Sequence, residues 1–94
     1  MARANSLDDD TSCGAIAALL NGEDGKEKLP EVVSYILGIG AALDRAQALR
    51  GKPQILSRMT EEGRFAMALV VVDRCQARPE LTVADTAVQT YEAV

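Results

Sequence analysis

The sequence predicts an all-α fold: a small orthogonal bundle of four main helices, a short extra helical turn and one disulfide. Three observations lead there. Apolar residues recur at three- and four-residue intervals through four segments, and no run alternates as a strand would. Each segment is bracketed by a capping residue, a glycine or a proline. The two cysteines, Cys13 and Cys75, fall at the edges of two of these segments. With 94 residues, the chain holds one domain.

The first helix is expected from about Thr11 to Asn21, capped by Thr11 or Ser12, with Cys13, Ile16, Ala17 and Leu20 on one face. Asn21-Gly22 is a stop signal, and Gly22 to Lys28 reads as a charged loop. Pro30 suits a first helical position, because its missing N–H would be unpaired there in any case. The second helix then runs to Arg50 and ends at Gly51. Its apolar face comprises Val32, Val33, Ile36, Leu37, Leu43 and Leu49, with Glu31, Asp44, Arg45 and Arg50 in solvent. Gly38 and Gly40 each cost such a helix about 1 kcal/mol relative to alanine, so another helix is expected to approach there. Gly38-x-Gly40 lacks the third glycine and the preceding strand of a dinucleotide loop.

After the break at Gly51-Lys52-Pro53, residues 54 to 59 suggest a short helical turn. The third helix begins near Thr60, where Glu61 and Glu62 complement its dipole, and continues to Cys75 before Pro79. Its run Phe65 to Val72 is apolar all round, which predicts a central, buried helix. The fourth helix follows Thr82, with Asp85 three residues on in the manner of a capping box. Val83, Ala87, Tyr91 and Val94 form its stripe. The domain therefore spans residues 11–94. Residues 1–10 read as an acidic, disordered tail, in which Ala2-Arg3-Ala4 also has the form of a signal-peptidase site.

Composition narrows the function. Fourteen acidic and 10 basic side chains give a net charge of −4, unlike a nucleic-acid-binding surface. No uninterrupted apolar run reaches the eighteen or so residues of a membrane span, so no membrane insertion is expected. Histidine is absent, which removes the commonest general base and metal ligand and any Ser–His or Cys–His pair. Glu61-Glu62 reads as a dipole complement. Asp8-Asp9-Asp10 reads as a solvated tail without the alternating spacing of a calcium loop. The expectation is a non-enzyme without metal or cofactor.

Two cysteines so far apart fit neither a zinc site nor a C-x-x-C redox pair. They are either two buried thiols or, as their places at element edges favour, a disulfide. Closing so long a loop contributes about 4 kcal/mol in a chain-entropy treatment and requires an oxidising compartment.

The order of features carries a resemblance. An acidic lead ends in Thr11-Ser12-Cys13 and an apolar helix. A helix with Tyr35-Ile36-Leu37-Gly38 follows, then an apolar helix ending at Cys75. The tail Cys75-Gln76-Ala77-Arg78-Pro79-Glu80-Leu81-Thr82, with Asp85 and Ala87, comes last. This arrangement resembles the HdeA/HdeB family of periplasmic acid-stress chaperones over residues 11–92. The resemblance implies a signal peptide, a periplasmic homodimer near neutral pH, and acid loosening that presents apolar surface to unfolded client proteins. Val33, Ile36, Leu37, Phe65, Met67, Leu69, Val70 and Val71 are the expected client-binding or dimer residues. Asp44 with Arg45 or Arg50, and Asp73 with Arg74 or Arg78, are candidate ion pairs whose loss in acid would loosen the fold. The scarcity of aromatics is unusual for a client-holding surface. The alternative is a folded periplasmic inhibitor, similar to type VI secretion immunity proteins of the Tai kind, that binds a protein partner.

Overall fold

In the computed structural model of the chain, residues 11–93 are described, and their regular structure is helical apart from one isolated β-bridge. The helices are α1 (Cys13–Asn21), α2 (Gly25–Leu49), a 3₁₀ turn (Leu56–Arg58), α3 (Glu61–Ala77) and α4 (Val83–Glu92). They pack as a small all-α bundle in which α2 touches every other helix.

Capping sets most of the boundaries. The hydroxyls of Ser12, Thr60 and Thr82 accept from the amides of Ala15, Gly63 and Asp85, supplying acceptors that the first turns of α1, α3 and α4 lack. At the end of α2, Gly51 takes a positive φ of 72°. The Lys52 amide reaches back to the Gln47 carbonyl and the Gly51 amide to that of Ala48, closing a Schellman motif. The short turn expected over 54–59 is the 3₁₀ turn.

The start of α2 differs from expectation. The helix begins at Gly25, so Pro30 sits inside it and the loop shrinks to Gly22–Asp24. Lys26, Glu27 and Lys28 are good helix formers, and Glu27 complements the dipole of the first turn. Gly25 permits the early start: a Cβ there would lie 1.9 Å from the Leu20 carbonyl oxygen, so only glycine lets α1 turn so tightly into α2.

The core divides into two clusters. The larger joins all four helices through Cys13, Ile16, Val32, Val33, Ile36, Ala68, Val71, Val72, Cys75, Val83 and Ala87. The smaller gathers Leu56, Met67 and Tyr91, with Leu43, Ile55 and Met59 packed against them. Gly40 belongs to the seam of the smaller cluster, since a Cβ there would meet Leu56 Cδ1 at 2.3 Å. The close approach expected at the α2 glycines is thus made at Gly40 by the 3₁₀ turn. Gly38 faces open space.

The expectation for α3 also needs correction. Its core face is Met67, Ala68, Val71, Val72 and Cys75, while Phe65, Ala66, Leu69 and Val70 lie outside. The neighbouring helices cover one side of α3, and the apolar sequence continues beyond that side. Among the described helices, α2 alone combines the length and mean hydropathy of a membrane span. Its buried residues Val32, Val33 and Ile36 belong to the larger core cluster, while 28% of the apolar window as a whole is buried in the bundle.

Candidate functional site

Cys13 and Cys75 form a disulfide that ties the start of α1 to the last turns of α3, with a Cα–Cα distance of 4.6 Å. Both cysteines are fully buried. The junction is reinforced from the chain beyond α3: the Cys13 amide donates to the Leu81 carbonyl at 2.7 Å and the Val83 amide to that of Thr11 at 3.0 Å. Thr86 Oγ1 lies 3.3 Å from Cys13 Sγ. This end of the molecule is held covalently and by backbone pairing.

The other end is held by Asp44. Expected in solvent, it is 6% exposed in the interior. Its Oδ1 accepts from the amides of Ile55 at 2.8 Å and Leu56 at 3.1 Å, and its Oδ2 from the Ser57 amide at 2.9 Å. The Tyr91 hydroxyl also donates to Oδ1. Three successive amides that open a helical turn have no acceptors of their own. The carboxylate supplies them all, and so fastens the 3₁₀ turn and α4 to the last two turns of α2. On the far side of the turn, Arg64 Nε donates to the Leu56 carbonyl at 2.9 Å.

The electrostatics follow from this geometry. Burial pushes the Asp44 carboxyl upward, but the Tyr91 hydroxyl and the three amides favour the ionised form and together hold it below the ordinary aspartate range. Tyr91 moves oppositely: burial and the neighbouring carboxylate raise its hydroxyl above the ordinary tyrosine range. The ion pairs expected from sequence are not those observed. Among the described residues the one ion pair is Arg78 with Glu80, on the surface. Arg74 instead donates from Nη1 to Thr90 Oγ1 at 3.1 Å.

The residues expected to bind clients or form a dimer separate into two groups. Val33, Ile36, Met67 and Val71 are buried and Leu37 is half-buried, whereas Phe65, Leu69 and Val70 are 44%, 37% and 43% exposed. The exposed three share one face of α3. Sequence reasoning missed Asp44 and Tyr91 as partners. One signal was available: Asp44 follows Ile36 and Gly40 at four-residue steps, which puts an acid on the buried face of α2. The acidic run Asp8-Asp9-Asp10 and the Ala2-Arg3-Ala4 motif lie outside the described residues. Among the described residues, no group of three or more Cys, Asp or Glu could hold a metal ion.

Comparison with protein-family models, with curated proteins and with solved structures yields no match for this chain.

Proposed function

We propose that this protein is a periplasmic, acid-responsive chaperone of the HdeA/HdeB kind, which loosens at low pH and holds unfolded clients on apolar surface. One observation carries the reading: a buried carboxylate joins three segments, and each of its bonds depends on its ionised form or on its acceptor capacity. Protonating Asp44 puts a donor where three amides and a hydroxyl already point inward. The 3₁₀ turn and α4 then lose their tie to α2, and Leu56, Met67 and Tyr91 open to solvent. Full protonation of the carboxylates also removes every negative side-chain charge and leaves the 10 basic ones, so self-repulsion adds to the loosening. The disulfide keeps the acid form compact. Phe65, Leu69 and Val70 are exposed before any loosening, and supply either the neutral-pH dimer contact or the first client contact.

That same exposed face favours a second reading, a folded inhibitor of a partner protein such as a Tai-type immunity protein. A titration from about pH 7 to about pH 2, following oligomeric state and suppression of client aggregation, separates the two. The chaperone dissociates and suppresses aggregation only in acid. The inhibitor keeps its state and leaves generic clients to aggregate at both ends, which rejects the chaperone reading.

A further inference from the structure

A groove of about 360 Å³ runs between α3 and α4, with Ala66, Met67, Val70 and Arg74 on the α3 side and Thr90 on the α4 side. Its volume falls at the lower end of the range for small-molecule sites, about 300–1,000 Å³. Three features restrict what fits it. Its lining combines the small residues Gly63, Ala66 and Ala93 with the adaptable thioethers of Met59 and Met67, of which Met67 is buried. The α3 and α4 segments of the wall are helix surface whose backbone groups are largely engaged within the helices, so it offers no row of free amides to an extended peptide. Among the described residues that line the groove, the one charged side chain is Arg74, held toward α4 by Thr90 Oγ1 at 3.1 Å and in no ion pair with a described carboxylate.

We infer that the α3–α4 groove of the folded protein binds a single-chain aliphatic carboxylate, its hydrocarbon along Ala66, Met67 and Val70 and its head on the Arg74 guanidinium. A guanidinium carries five N–H donors in a planar fork. With one of its nitrogens used by Thr90, it retains donors for a carboxylate, and charge complementarity fixes which end of the chain lies at Arg74. An apolar strip with one cation meets the whole chemistry of such a ligand. The site belongs to the folded state near neutral pH, in which Met67 is still packed in the smaller cluster.

Calorimetric titration of the full chain with decanoate at about pH 7, below the concentration at which it forms micelles, tests the assignment, with amide shifts locating the site. Saturable one-to-one binding is expected, with shifts centred on Gly63, Ala66, Val70 and Thr90. Arg74→Gln weakens it about tenfold, as loss of one charge-assisted contact does. Ala66→Trp, a change at an exposed position, fills the groove and abolishes binding while circular dichroism stays unchanged. Decyltrimethylammonium, with the same tail and a cationic head, binds at least about tenfold more weakly than decanoate. Absence of saturable decanoate binding, equal binding of the two amphiphiles, shifts centred elsewhere, or folded variants that bind as the native chain does would each overturn the inference.

Discussion

A carboxylate survives in a protein interior only where fixed donors replace its water, and Asp44 has four. Removing one side of that arrangement leaves the other unpaired. Asp44→Asn keeps the shape but sets amide hydrogens toward donors, so it should destabilise by about 2–4 kcal/mol in urea unfolding at neutral pH. Tyr91→Phe removes one donor and should cost about 1–2 kcal/mol. Its more informative effect is on pH. A carboxyl held below its unfolded value contributes stability that is complete above that unfolded value and is lost as pH falls through the folded one. Without the Tyr91 hydroxyl the folded value moves up, so the Tyr91→Phe acid transition should begin at higher pH than that of the native chain. Far-ultraviolet circular dichroism against pH reads this directly. An unchanged transition would remove Tyr91 from the acid response.

At the scale of elements, the glycines distinguish packing from propensity. Gly38 has no heavy atom within 4 Å of an added Cβ, so Gly38→Ala should raise stability by about 1 kcal/mol, as expected for an open helical position. Gly25→Ala would place its Cβ against the Leu20 carbonyl and should lower stability in the same urea measurement. Helix number and type and three of the four main starts were legible because caps and apolar spacing are local signals. Ser12, Thr60 and Thr82 bind amides within their own chain segment. The start of α2 was not legible: Gly25 is explained by a contact with the end of α1, and Pro30 offered a plausible but later beginning. The hub was hidden for a related reason. Asp44 meets its amides across 11 to 13 residues and Tyr91 across 47, distances that no periodicity reports. For α3, the apolar run Phe65 to Val72 indicated burial on every side, whereas the small bundle covers only one.

At the scale of the molecule, two fastenings of different chemistry hold opposite parts of one small core. The disulfide secures the larger cluster around Cys13, Val71 and Val83, and is insensitive to protons. Asp44 secures the smaller cluster around Leu56, Met67 and Tyr91, and depends on ionisation. Replacing both cysteines with alanine should therefore cost about 2–5 kcal/mol near neutral pH and convert acid loosening into full unfolding. Size-exclusion volume and circular dichroism at low pH report that change together. Native-state hydrogen exchange against pH tests the division most directly, with protection corrected for intrinsic rates. Acid should release the amides of Ile55, Leu56 and Ser57 at a pH below the ordinary aspartate range, while those of Val71 and Val72 stay protected. Loss of protection in both groups at one pH, or retention in both throughout, would contradict Asp44 as the acid-sensitive fastening.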